Sequence, residues 1–130
     1  MEFSSLLTHA RAARDRAYAP YSRFAVGAAL RAKSGRVFTG CNVENLSFGL
    51  TSCAERNAVF TAIAAGEREF EAIAIVADSK QPVSPCGACR QVLAEFAPMI
   101  PICCSNLEGQ TFQSDLAQLL PRASEGILGT

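Results

Sequence analysis

Two rhythms of apolar and polar positions divide the chain. Between residues 4 and 17, positions Leu6, Leu7, Ala10, Ala13, Arg14 and Ala17 return at three- and four-residue steps, which predicts an amphipathic helix. Ser4 or Ser5 can cap it, and Pro20 ends it because the residue before a proline is pushed out of the helical region. Residues 24–33 and 36–41 predict two strands, with Ser34-Gly35 as the hairpin turn. Gly27 and the run of alanines in the first strand imply that another element packs closely over it.

A second helix is predicted over residues 52–66. Ser52 is its expected cap, Gly66 its stop, and apolar positions lie almost all round it, so burial on most sides is expected. Residues 71–77 are short and apolar at every second position on both faces, the pattern of a central covered strand. Residues 86–96 predict another buried helix, with Val92, Leu93 and Phe96 as its inner stripe. Residues 100–104 then predict a strand and residues 110–113 a short edge strand. A last helical turn is expected through Leu120, capped by Ser114 or Asp115 and ended by Pro121. This order predicts an α/β fold, a mixed sheet with helices on both faces.

Composition narrows the function classes. A length of 130 residues suggests a single domain spanning 1–130. With 49% apolar residues a sizeable core is available, and 12 basic residues balance 12 acidic ones. Nucleic-acid binders usually carry a basic stripe, so a polynucleotide partner is not expected; the small cluster Arg11, Arg14 and Arg16 is interrupted by Asp15 and reads as a solvated helix face. No apolar run suggests a leader or a membrane span, so a cytoplasmic protein with reduced thiols is expected. Six cysteines in that setting read as metal ligands or core residues.

The chemistry concentrates in two segments, Cys53-Ala54-Glu55-Arg56 and Pro85-Cys86-Gly87-Ala88-Cys89-Arg90. Each opens a predicted helix. The Cys-x-x-Cys spacing is that of a chelating pair, and Cys53 supplies a third thiolate, leaving a tetrahedral Zn2+ with one open position. Cys41, Cys103, Cys104 and the single histidine, His9, stand in no ligand-like spacing. Cys103 and Cys104 are strand neighbours and face opposite ways, and His9 reads as a surface histidine. Three thiolates leave a divalent metal site net negative. Two helix N-termini offset that charge, and Arg56 and Arg90 are expected to tune the metal by donating hydrogen bonds to sulfur. Glu55 is placed for proton transfer beside the open position, although a first-turn glutamate also suits the helix dipole. The cluster Asn42-Val43-Glu44-Asn45 reads equally as a hydroxyl-binding group or an ordinary turn.

At these residues the sequence closely resembles the small, homotetrameric cytidine deaminases. The likeness is carried by Cys53-Ala54-Glu55 with Pro85-Cys86-Gly87-Ala88-Cys89, and extends to Tyr18-Ala19-Pro20-Tyr21-Ser22, Phe24, Val26-Gly27-Ala28-Ala29 and Gly40-Cys41-Asn42-Val43-Glu44-Asn45. It implies a three-layer α/β/α sandwich with a five-stranded mixed sheet. It also implies hydrolytic deamination of cytidine and 2′-deoxycytidine to uridine and 2′-deoxyuridine in pyrimidine salvage, with one Zn2+ per subunit and sites at subunit interfaces. By the same resemblance Glu55 moves protons between water, N3 and the leaving amino group. Asn42 and Glu44 hold the ribose 3′-hydroxyl, Phe24 lies beside the base, the Ala54 backbone contacts the base carbonyl, and the Ser84 carbonyl contacts the amino group. Two features depart from the family pattern. Phe48 stands where a tyrosine is common, and no aromatic residue follows Phe112, leaving Ile127 or Leu128 to cover the base.

Three other readings fit less well. A polynucleotide deaminase would need basic and aromatic surface. A deaminase of a nucleoside antibiotic such as blasticidin S shares the zinc motifs, but Phe24 and Asn42-x-Glu44 favour cytidine. A zinc-stabilised binding module would have little use for Glu55 or for an open metal position.

Overall fold

The computed structural model describes residues 2–123. Helix α1 (Ser4–Arg14) leads into the hairpin β1 (Val26–Ala32) and β2 (Val37–Cys41). Helix α2 (Ala54–Ala64), strand β3 (Phe70–Ala77), helix α3 (Gly87–Phe96), strands β4 (Pro101–Ser105) and β5 (Thr111–Asp115), and the short α4 (Leu116–Leu119) follow. The sheet order is β2-β1-β3-β4-β5. Only the β3/β4 pair is parallel, Ile73 facing Ile102 and Ile75 facing Cys104; β1/β2, β1/β3 and β4/β5 are antiparallel. The sheet is therefore mixed, as expected. No helix among the described residues is long and apolar enough to cross a membrane.

Two cores separate the three layers. On one face Phe3, Leu6 and Ala10 of the α1 segment meet Ala29, Ala72, Ala74, Val76 and Cys103. On the other, Ala54, Ala58, Val59, Leu93 and Leu116 pack on Ala28, Leu30, Ile73, Ile75, Ile102 and Cys104. Alternate residues of β3 thus serve opposite layers, which is why this strand is apolar on both faces. Each fully buried Leu or Ile here is worth about 1.5–3 kcal/mol relative to exposure.

Glycine sets the spacing of both layers. A Cβ on Gly27 would lie 2.0 Å from the Ala10 carbonyl oxygen, so α1 rests directly on β1. A Cβ on Gly40 would lie 2.4 Å from the Ala54 carbonyl oxygen and 2.5 Å from the Ala58 nitrogen, so the first turn of α2 rests directly on β2. The close approach expected at Gly27 has a counterpart at Gly40, and the latter seats the helix that carries Cys53 and Glu55.

Several boundaries differ from the sequence expectation. Helix α1 ends at Arg14 rather than near residue 17; tighter turns through Arg16 and Ala17 follow, and the Tyr18 nitrogen and carbonyl pair with Asn42 and Glu44. Neither Ser4 nor Ser5 caps it. Phe3 occupies the cap position, and the Glu2 carboxylate accepts from the Ser4 nitrogen. Ser52 does not cap α2 either, because its backbone is committed to a bridge with Val43, at 2.9 and 3.0 Å. Cys53 takes the cap position in extended conformation instead. At the far end Gly66 stops α2 as expected, with φ 96° and paired bonds from Gly66 to Ile63 and Glu67 to Ala62, a Schellman closure. Asp115 caps α4 by accepting from the Gln118 nitrogen. Helices α2 and α3 are less enclosed than their composition predicts. Phe60, Thr61, Ala64, Gly87 and Ala88 are exposed, so each helix buries one face only.

Candidate active site

Three thiols converge where two helices begin. Cys53 precedes the first turn of α2, Cys86 that of α3, and Cys89 lies within the first turn of α3. The Sγ atoms of Cys53 and Cys86 are 3.9 Å apart, those of Cys86 and Cys89 are 3.5 Å apart, and all three lie within 4.8 Å of one another. A tetrahedral zinc with Zn–S bonds of about 2.3 Å needs sulfurs about 3.8 Å apart, so the residues present fit that ion. Among the described residues no fourth cysteine, histidine or carboxylate joins this group. His9 lies elsewhere, lining a separate cavity with Arg16, Thr39 and Cys41. Cys103 and Cys104 are buried in opposite cores, and burial pushes the Cys104 thiol up to about 12.

The electrostatics favour a thiolate at Cys53. Its thiol is pulled down to about 5, chiefly by a hydrogen bond from the Cys89 thiol, with Arg56 and Cys86 adding to the effect against desolvation. Cys89 moves far upward for the reciprocal reason, since it holds the proton that it shares with Cys53 and is also buried. Arg56 Nη2 donates to Cys53 Sγ at 3.4 Å and to the Thr51 carbonyl at 3.3 Å. Its Nε is buried without a partner among the described residues. The guanidinium is thus held against the sulfur even though one of its own donors goes unmet.

Arg90 behaves differently from the sequence expectation. Its bonds run to oxygen rather than sulfur: Nε to the Pro85 carbonyl at 2.7 Å, Nη1 to the Leu119 carbonyl at 2.8 Å, and Nη2 to Ser84 Oγ at 3.1 Å. Located in the first turn of α3, it points back toward the helix start, as helical side chains do. It fastens the loop ahead of Cys86 to the end of α4. Any influence on a metal passes through the position of that loop.

A cavity of about 280 Å³ opens beside the thiols. Its wall includes Cys53, Cys86, Ala54 and Glu55 from the helix starts, Phe24, Asn42 and Glu44 from the strand side, and Ser84 from the loop. Among the described residues, those expected to touch a substrate, Phe24, Asn42, Glu44, Ala54, Glu55 and Ser84, therefore line one cavity. Ser22, Val26, Thr51 and Val83 complete it; the sequence does not single them out, because approach to a cavity from a loop or a strand end leaves no periodic trace. Glu55 is only 6% exposed. Burial pushes its carboxyl up to about 7, with the Cys53 charge adding and its own backbone N–H opposing.

The strand side is tightly tied. Asn42 is buried; its Oδ1 accepts from the Val26 nitrogen at 2.9 Å and its Nδ2 donates to the Phe24 carbonyl at 2.8 Å. One N–H and one lone pair of the amide remain for a ligand. Glu44 accepts from the Tyr21 and Ser22 nitrogens at 2.9 and 3.1 Å and from the Ser22 hydroxyl. These bonds hold its carboxyl below the usual range, the Ser22 hydroxyl contributing most. The cluster at 42–45 is therefore more than a turn, since both side chains order the segment that carries Phe24. Next to this cavity, Tyr21 and Phe48 meet edge to face with centroids 6.0 Å apart, and Leu46, Phe48 and Leu50 are largely exposed. Ile127 and Leu128, considered as cover for the base, lie outside the described residues.

Known proteins resemble this chain in sequence and in fold. The family described as "Cytidine and deoxycytidylate deaminase zinc-binding region" matches residues 2–104, which include all three thiols and Glu55. A cytidine deaminase of Halalkalibacterium halodurans is 52% identical over 124 residues, covering 95% of this chain and 94% of that protein. One from Sporosarcina psychrophila is 49% identical over 124 residues, covering 95% and 91%. The crystal structure of cytidine deaminase from Burkholderia pseudomallei superposes with a TM-score of 0.90 at 51% identity, covering 93% of this chain and 98% of that one. By sequence and by fold, the chain belongs to the cytidine and deoxycytidylate deaminase family with its zinc-binding region.

Proposed function

We propose that this chain catalyses the hydrolytic deamination of cytidine and 2′-deoxycytidine, consuming water and releasing uridine or 2′-deoxyuridine and ammonia. The observation that carries the reading is the single wall shared by the buried Glu55, the Cys53 and Cys86 sulfurs, and the polar pair Asn42 and Glu44. Relatives about half identical over nearly their whole length are cytidine deaminases. A nucleoside needs such a wall, with reactive groups at the base end and hydrogen-bonding groups at the sugar end.

In this mechanism Cys53, Cys86 and Cys89 hold one Zn2+ per subunit, and when bound the ion supplies Lewis acidity that makes a water a competent nucleophile at neutral pH. Arg56 and the two helix N-termini offset the thiolate charge. Glu55 takes a proton from the attacking water, delivers it to N3 as C4 becomes tetrahedral, and then carries the proton of the new C4 hydroxyl to the amino group, so that the C4–N bond breaks, the C4 carbonyl forms and ammonia leaves. Its burial keeps bulk water from competing for those protons. Phe24 lies along the base, the Ala54 backbone meets the base carbonyl, and the Ser84 carbonyl accepts from the amino group. The free N–H and lone pair of Asn42 and the remaining lone pairs of Glu44 serve the 3′-hydroxyl. We further infer a cytoplasmic, one-domain enzyme of pyrimidine salvage, assembled as a homotetramer with its sites at subunit interfaces. The exposed Leu46, Phe48 and Leu50 beside the cavity support that assembly, since apolar side chains grouped on a surface mark contact sites.

The direct test follows cytidine absorbance over time with purified, zinc-loaded protein. Steady loss with stoichiometric ammonia is expected; no loss with zinc bound would reject the enzyme in favour of a zinc-stabilised module.

A further inference from the structure

Asn57 is the fourth residue of α2, one turn beyond Cys53. Helical side chains lean toward the helix N-terminus, and its amide reaches back over the segment that leads into the helix. Its Nδ2 donates to the Cys41 carbonyl at 2.7 Å and to the Ser52 carbonyl at 3.3 Å, and its Oδ1 accepts from Ser52 Oγ at 2.7 Å. Cys41 is the last residue of β2 and is followed directly by Asn42, while Ser52 directly precedes Cys53. The amide therefore stands one residue away from each end of the cavity, the sugar side and the metal side. Among the described residues no other side-chain hydrogen bond of α2 crosses to β2, and the contact beneath it, Gly40 against the α2 backbone, is steric and carries no direction. The Val43–Ser52 bridge joins the same segments two residues further on, so losing the amide would loosen their register without unfolding it.

We propose that Asn57 is a positioning residue that fixes Asn42 and Glu44 at the correct distance from Cys53 and Glu55, and so sets how the nucleoside's sugar is held relative to the base end. The inference rests on the deaminase reading of the site. Asn57→Ala leaves the thiols, Arg56 and Glu55 with their own partners, so the chemistry persists once substrate is seated. What is lost is sugar binding, which is common to ground and transition states. Such a change raises KM for cytidine by about tenfold while kcat moves by less than about threefold. Ser52→Ala removes the Oδ1 bond but keeps the link to Cys41, and its KM stays within about twofold of the parent.

The experiment measures kcat, KM, zinc content and the calorimetric Kd for uridine in the parent, Asn57→Ala and Ser52→Ala, with Asn57→Ser in place of alanine if the latter does not fold. Raised KM and raised uridine Kd in the Asn57 variant, with one zinc per chain and kcat nearly kept, support the proposal. An unchanged KM with only a lower melting temperature overturns it, as does a kcat that falls as far as kcat/KM. A parent that binds uridine but does not turn over cytidine refutes the deaminase reading alone, and positioning is then judged by the uridine Kd. A parent that does neither refutes both.

Discussion

Replacing Arg56 by glutamine removes a charge from the thiolate site and leaves an amide donor that stops two bonds short of the Nη2 position. The guanidinium donates to Cys53 Sγ at 3.4 Å. A unit charge pair at that distance is worth about 5 kcal/mol at an effective dielectric of 20 and about 1 kcal/mol in bulk water. Cys53 is half-buried, so the interaction falls between these limits. A second effect acts in the opposite direction on folding. The buried Arg56 Nε has no partner among the described residues, and such an orphan costs about 1–3 kcal/mol. Glutamine relieves that cost while it forfeits the ionic bond. Zinc affinity and folding stability therefore separate. Affinity in Arg56→Gln falls by roughly 10–100-fold, the usual effect of removing a group that hydrogen-bonds a metal ligand. The melting temperature of the same protein without metal stays close to the parent's. Competition against a chromophoric zinc chelator reads the first quantity, and a thermal melt reads the second. Unchanged zinc affinity together with unchanged turnover would refute the assignment of Arg56 as the thiolate's counter-charge.

Two further outcomes follow from packing and linkage. Gly40→Ala places a methyl 2.4 Å from the Ala54 carbonyl, which forces α2 off β2; overpacking of this kind costs about 1–3 kcal/mol, seen as a melting temperature lower by roughly 4–12 °C, and a parent-like melt would show that the two layers are not held at that contact. Stripping zinc with a strong chelator lowers the melting temperature, and adding zinc back raises it with the logarithm of free zinc; a melt indifferent to zinc would exclude Cys53, Cys86 and Cys89 as a high-affinity site.

The parts of this molecule that repeat were legible in its sequence, and those that depend on chain crossings were not. Strand β3 announces its place by carrying apolar residues on both faces, and β4 by the opposed neighbours Cys103 and Cys104, which enter separate cores. The thiols of Cys86 and Cys89 were readable because their spacing brings two ligands to one helix start without help from the rest of the fold. The cap of α2 was misread for a physical reason. Ser52 has a capping side chain, but its backbone is taken by Val43, a partner nine residues away, and Cys53 inherits the position. Arg90 was misread because its chain direction, not its adjacency to Cys89, decides its partners, among them a carbonyl at Leu119. Asn57 left no trace, since a link between a helical amide and a strand-end carbonyl has no spacing of its own.

The proposed chemistry turns on Glu55 as the group that moves protons beside a thiolate-held zinc. The most direct measurement is the turnover of cytidine by Glu55→Ala, with zinc counted on the same sample. Zinc at one per chain, with kcat lower by about 10²–10⁴-fold or more, is the predicted result. A zinc-loaded Glu55→Ala protein that deaminates cytidine at close to the parent rate would contradict it.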